Sequence, residues 1–293
     1  ICGIGWRLFK PAGLEPVQTR KVLTSLVYYL LLPALVLSVL WKAELGNITL
    51  LIALSAALAV ILGAAFSAFT CRACRSGSPV AGAVILAAAF PNATYLGLPV
   101  LEATFGPWAR SVAIQYDLFA CTPLLFTLGI LVASHYGDKQ EVARSMLGEL
   151  LRIPAVLAAL LAVLLNIMDV PGNAVIDGLL GLLERGVVPL MLFSLGLSLE
   201  WGRAHWGNLP AVIPVVLLRL FIVPAIIMLF AAGIGLTGEW KAAVVLESAM
   251  PSMVLGIVFC DRYNLDVGIY AAAVTITTVL SLLTLPMWYQ VLV

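Results

Sequence analysis

Two prolines interrupt apolar stretches of the chain, and each is flanked by small polar or acidic residues: Phe90-Pro91-Asn92-Ala93-Thr94 and Glu247-Ser248-Ala249-Met250-Pro251-Ser252. A proline deep in an apolar helix removes a backbone donor and crowds the preceding turn, so the helix bends there or splits into two halves. The N-terminus of a half-helix offers unpaired N–H groups and a partial positive charge, which suit a carboxylate without requiring lysine or arginine. The chemistry predicted is non-covalent recognition of an organic anion. Asn92, whose amide both donates and accepts, is the first candidate for direct contact, and Thr94 and Ser252 add hydroxyls. Pro91, Ala93 and Pro251 complete the two candidate binding segments. Asn92 also suits an N-cap of the second half-helix, a role compatible with binding.

Charged residues inside apolar spans are expensive and therefore candidates for function. Glu247 lies one helical turn before Pro251 and Asp117 lies in the helix after the first break, so each is a candidate carrier of a coupling ion. A proton suits such a role because burial penalises the charged form of a carboxylate. Arg219 has three readings: pairing with Asp117 or Glu247, attraction of the anion, or snorkelling of its head to the membrane interface, the last slightly preferred. Glu184 and Arg185 are adjacent, point apart on a helix, and read as near-interface or dimer-surface charges.

Other signals are plainer. Cys71-Arg72-Ala73-Cys74 lacks the second ligand pair of a zinc site, so no metal is expected, and Cys2, Cys121 and Cys260 read as small apolar fillers. His135 and His205 fall in predicted loops, and Trp41, Trp108, Trp206, Trp240 and Trp288 read as interfacial anchors. Gly63 and Gly82 sit where helices must approach closely. No His-Glu-x-x-His, Gly-x-Ser-x-Gly or Asp-rich metal motif occurs, which argues against a membrane enzyme.

The elements that must position these residues are membrane helices. With 62% hydrophobic and 11% charged residues, the chain lies outside the range of soluble globular domains. Apolar runs long enough to cross a bilayer recur from end to end. The predicted helices span 20–41, 47–71, 79–105 (interrupted), 107–134, 147–167, 174–200, 208–236, 240–261 (interrupted) and 266–292. Residues 1–9 read as the stub of an earlier helix, giving ten in the intact protein, with the fourth and ninth broken. Alternate loops collect basic residues, among them Arg20, Lys21, Arg72, Arg75, Lys139, Arg144, Arg203 and Arg262, against Lys42, Arg110 and Lys241 on the other side. Positive charge marks the cytoplasmic side, so both termini of a ten-helix protein are expected outside. A net charge of +1 gives no nucleic-acid footprint.

The two halves repeat one design. Pro33-Ala34-Leu35-Val36-Leu37-Ser38 answers Pro189-Leu190-Met191-Leu192-Phe193-Ser194; Trp41 through Asn47 answers Trp201 through Asn208; the breaks at Pro91 and Pro251 follow in register. Units of five helices, an odd number, enter the membrane in opposite senses, so an inverted 5+5 repeat is expected. Paired broken helices in such a repeat are the mark of a secondary transporter with substrate near the bilayer midplane.

Phe90-Pro91-Asn92-Ala93-Thr94-Tyr95-Leu96-Gly97-Leu98-Pro99-Val100 followed by Phe105-Gly106, and Ala249-Met250-Pro251-Ser252 through Tyr263-Asn264-Leu265-Asp266, resemble the two motifs of the auxin efflux carrier family. That family includes the plant PIN-formed auxin carriers and bacterial dicarboxylate carriers. The resemblance implies the fold of the bile-acid sodium symporters: an all-α scaffold of helices one, two, six and seven, and a mobile transport domain of the other six. On this chain the scaffold would take residues 1–9, 20–41 and 147–200, and the transport domain 47–134 and 208–292. It implies further that the two broken helices cross, that the anion sits at the crossing, and that dimers form through the scaffold.

Glu247 matches the position of a sodium-ligating glutamate in those symporters, while Pro251 stands where they carry glutamine. The coupling ion is therefore left between proton and sodium, and no other cofactor is expected. The short stretch from His135 to Ser145 between the halves fits the compact bacterial type, with a small mono- or dicarboxylate such as malate or malonate as cargo and the bacterial inner membrane as location. Plant-type relatives point instead to an indole carboxylate. The alternative is a lipid or sterol sensor that uses the same fold without transport.

Overall fold

The computed structural model describes residues 2–43, 45–137, 148, 151–198 and 209–293. Helix α1 (Cys2–Phe9) leads by a short 3-10 turn into α2 (Pro16–Trp41), followed by α3 (Asn47–Ala73). Helix α4 is broken into α4a (Ser78–Ala89) and α4b, which begins with a π-helical turn (Ala93–Gly97) and continues as Leu98–Phe105. Then come α5 (Ala109–Tyr136), α6 (Pro154–Ile167), α7 (Ala174–Ser198) and α8 (Pro210–Gly233). Helix α9 is again broken, into α9a (Gly238–Ser248) and α9b (Gly256–Arg262), and α10 (Val267–Leu292) closes the chain.

Helices α2, α3, α5, α7, α8 and α10 are long and apolar enough to cross a membrane. The all-α polytopic class expected from composition holds. Both interruptions fall where proline was expected to place them. Phe90, the residue before Pro91, leaves the helical region for φ −102° and ψ 118°, as the steric demand of the following ring requires. Among the described residues, β-type pairing is confined to an antiparallel bridge between Pro91 and Ser252.

Within the helices, proline has a second effect. Among the described residues, four π-helical stretches end two positions before a proline: Val27–Leu31 before Pro33, Ala93–Gly97 before Pro99, Asp117–Cys121 before Pro123 and Leu218–Ile222 before Pro224. Proline has no N–H for the carbonyl four residues back and its ring pushes that carbonyl aside, so the ladder slips to the wider spacing. Three of these widened turns hold Thr94, Asp117 and Arg219.

Helices α6 and α7 each pack on α2, with α1 against the second half of α7. There Trp6 meets Phe193 at 5.6 Å between ring centres and Arg7 donates to the Leu197 carbonyl at 2.9 Å. Helices α3, α4, α5, α8, α9 and α10 pack among themselves. Gly63 lets α3 lie on the backbone of α4a, where a Cβ would collide with the Ala88 carbonyl. The second half of α7 touches α4b, and α2 and α6 touch α5.

Several sequence expectations need correction. Trp41 and Trp288 are buried against neighbouring helices, their indole N–H groups donating to Val170 at 3.0 Å and Leu220 at 2.7 Å. Cys2 is exposed, unlike the buried fillers Cys121 and Cys260. His135 stands on the last turn of α5, not in a loop. The expectations for Lys139, Arg144, Ser145, Arg203, His205 and Trp206, and the match of Trp201 through Asn208 to the first half, lie outside the described residues.

Candidate functional site

The two breaks meet. The Asn92 N–H donates to the Pro251 carbonyl at 2.8 Å, and the Met253 N–H donates to the Phe90 carbonyl at 3.0 Å. Backbone groups freed by one broken helix are thus satisfied by the other, which an apolar interior demands. Ser252 reinforces the junction by donating its hydroxyl to the Ala87 carbonyl at 2.8 Å, and its N–H reaches the Thr277 hydroxyl of α10 at 3.1 Å. Tyr270, also on α10, donates to the Met253 carbonyl at 2.8 Å.

Four half-helix ends converge here: the C-termini of α4a and α9a and the N-termini of α4b and α9b. Arg219 serves the C-termini. Its side chain is fully buried, with Nη1 donating to Ala88 and Ala89 at 3.3 Å each, Nη2 to Ser248 at 2.8 Å and Nε to Met250 at 3.2 Å. A guanidinium with donors in a planar fork suits this task, because the carbonyl ends of two helices carry partial negative charge and otherwise lack partners. The expectation that Arg219 snorkels to the interface is therefore overturned. Nor is it hydrogen-bonded to Asp117 or Glu247; its acceptors are carbonyls.

At the N-terminus of α4b, the carbonyl of Asn92 accepts the N–H groups of Leu96 and Gly97 at 3.3 and 3.0 Å. Asn92 occupies the N-cap position, yet its side chain makes no capping bond. It is 3% exposed, and its Nδ2 has no partner. A buried amide donor left unpaired at a helix N-terminus is costly unless something else accepts it. The remaining candidates are partly engaged. Thr94 donates to one oxygen of Asp117, whose other oxygen accepts from Thr122 at 3.0 Å. The hydroxyls of Thr94 and Ser252 therefore fix the frame, while the Asn92 amide stays available; Pro91, Ala93 and Pro251 form its backbone.

Glu247, in the last turn of α9a, is fully buried, and both of its carboxyl oxygens lack a hydrogen-bond partner. Its carboxyl group packs on the α-carbon of Gly97, where a Cβ would displace it. The acid of the second break is thereby placed beside the first turn of the helix that follows the first break. Glu247 and Asp117 both lie against α4b's opening turns, one without donors and the other with two.

An ion-pair group lies away from the crossing. Arg110 of α5 bridges Glu102 of α4b and, at 3.2 Å, Glu184 of α7. Glu184 is mostly covered and paired. Its partner is remote in the chain, so residue spacing gave no sign of the pair.

Residues 1–289 match the family model for membrane transport proteins. An uncharacterized transporter of Methanothermobacter thermautotrophicus is 31% identical over 292 positions, covering 97% of this chain and 93% of that protein. An uncharacterized transporter of Methanocaldococcus jannaschii is 28% identical over 72% of this chain and 68% of its own length. The uncharacterized transporter YfdV of Escherichia coli is 26% identical over 70% of this chain and 66% of its own.

Proposed function

We propose that this chain, which belongs to the membrane transport protein family and its auxin efflux carrier-like members, is a secondary carrier of an organic carboxylate anion. It is an integral multi-pass membrane protein. The anion binds at the crossing, with a carboxylate oxygen accepting from Nδ2 of Asn92 and from the free N–H groups at the start of α4b. The observation that carries this reading is the buried, unpartnered Asn92 amide at a helix N-terminus. Arg219 contributes by neutralising the C-terminal ends, so that the positive N-terminal end dominates the field at the site.

Movement follows an elevator scheme. The group α3–α5 with α8–α10 carries the crossing past a scaffold of α1, α2, α6 and α7, the ten helices forming an inverted 5+5 repeat. The packing of each group within itself supports this division. Substrate and co-ion travel inside protein and avoid lipid. The scaffold is the natural dimer surface, the bacterial inner membrane the natural setting, and both termini of the intact protein lie outside. Glu247 is the foremost candidate for coupling to a proton or sodium ion.

The test is uptake by liposomes carrying the purified protein, with labelled malate, malonate and an indole carboxylate, under imposed proton or sodium gradients. Saturable uptake of one acid supports the carrier. Saturable binding without flux under any gradient contradicts it and identifies a sensor.

A further inference from the structure

Two polar side chains at the opening turns of α4b are buried without partners: the Asn92 amide donor and the Glu247 carboxyl. They have opposite needs. The amide wants an acceptor. The carboxyl, packed face-on against Gly97, has no donor and gains from the N-terminal field only when it is ionised. Both therefore draw on one positive helix end, which carries about half an elementary charge. That end suits one anion and not two, because two carboxylates sharing a dry site cannot both remain ionised.

The surroundings leave Glu247 as the group that gives way. The titratable groups near it are Asp117, Tyr116 and Cys121 on α5 and Arg219 on α8, with Tyr270 of α10 next to Arg219. On α4b, Tyr95 stands in the same opening turn as Gly97 and interacts with Asp117. Asp117 is held in place by two threonine hydroxyls that donate to its two oxygens. Arg219 spends its donors on four backbone carbonyls. Glu247 alone among these charged groups has no hydrogen bond holding it in either form.

We propose that Glu247 and the transported anion are alternative counter-charges at the N-terminus of α4b, so that each anion bound is accompanied by one proton taken from solvent onto Glu247. This deepens the carrier reading and rests on it, naming the proton as the coupled ion and fixing the ratio at one to one. The chemistry balances simply: the ionised carboxylate of Glu247 gains a proton to become the neutral acid, while the substrate carboxylate arrives charged and accepts from Asn92. Release on the other face reverses both. The binding site thus exchanges one negative charge for another, and the buried crossing holds the same net charge loaded or empty.

The decisive experiment measures anion affinity and proton uptake together on the purified full chain in detergent. Malate, malonate and an indole carboxylate are titrated into weakly buffered protein containing a pH indicator, and calorimetry is run in buffers of differing protonation enthalpy. The expected result, over the pH range in which Glu247 of the empty site is ionised, is about one proton taken up per anion and a Kd that rises about tenfold per pH unit. Glu247→Gln, which fills the same space, is expected to bind the anion with no proton uptake and a flat pH profile. Anion binding without proton uptake in the natural protein, proton uptake unchanged in Glu247→Gln, or binding that needs sodium in place of the proton overturns the proposal while leaving the binding site intact. Absence of binding by every acid of the panel instead removes the carrier reading itself. A tryptophan fluorescence melt on each variant shows that it is folded.

Discussion

The backbone N–H of Asn92 donates to the carbonyl of Pro251 over 2.8 Å. This bond makes the two halves of the sequence complete one another: each proline opens a helix, and each opened helix supplies the partners that the other lacks. Strand-like pairing inside a helical membrane protein is tolerated because it is wrapped in protein on all sides. The crossing is therefore one hydrogen-bonded unit.

Replacing Asn92 by alanine is expected to leave the crossing assembled, since its bonds there are made by backbone. The lost side-chain bond to a charged acceptor is worth about 1.5–3 kcal/mol, or roughly ten- to a hundredfold in affinity. Calorimetric titration of the transported acid measures this. An unchanged Kd places the anion elsewhere.

Arg219 is predicted to matter for assembly. Arg219→Met strips partners from carbonyls at the ends of α4a and α9a, each worth about 1–3 kcal/mol when buried and unpaired, so a loss of at least about 3 kcal/mol is expected. Arg219→Lys keeps the charge but not the planar fork, and is expected to fall between. Thermal melts in detergent rank the three proteins. Equal melting of Arg219→Met and the natural protein would show that these carbonyls find other partners.

Gly97→Ala puts a methyl group where the Glu247 carboxyl lies. Overpacking of this kind costs about 1–3 kcal/mol, and displacement of the acid is expected to reduce uptake as well. Glu247→Ala opens the space, so the double variant should be less destabilised than the sum of its parts. Strict additivity in melting free energy would show that the two groups do not touch.

The Arg110 and Glu184 side chains, at 3.2 Å, join α5 to α7 and so bridge the two helix groups. If those groups slide past each other, the pair must part in every cycle. Glu184→Gln is expected to change the uptake rate at saturating substrate. A rate equal to that of the natural protein would free this pair from the cycle.

What the sequence announced and what it hid follow from the physics of each signal. Pro91 and Pro251 declare themselves because few other residues break an apolar helix so firmly, and Asn92 stands out as a lone amide beside one of them. Glu247 was visible as an acid in an apolar run, yet its neighbour Gly97 was not, because glycine leaves no mark of what will fill its vacant side. The task of Arg219 was hidden for a deeper reason: its acceptors are backbone carbonyls, present at every residue and signalled by none. The widened turns before Pro33, Pro99, Pro123 and Pro224 were legible in principle, since the same loss of a donor that breaks α4 and α9 only stretches α2, α4b, α5 and α8. The bridge from Arg110 to Glu184 depends on packing between distant helices, which spacing along the chain does not report.

The most direct test of the central claim compares uptake of the labelled carboxylate panel into liposomes by the natural protein and by Asn92→Ala, at equal amounts of folded protein. The predicted result is saturable uptake of at least one acid, reduced about tenfold or more in the variant at substrate levels below saturation. Equal uptake by the two proteins would contradict an anion site at the crossing of the broken helices.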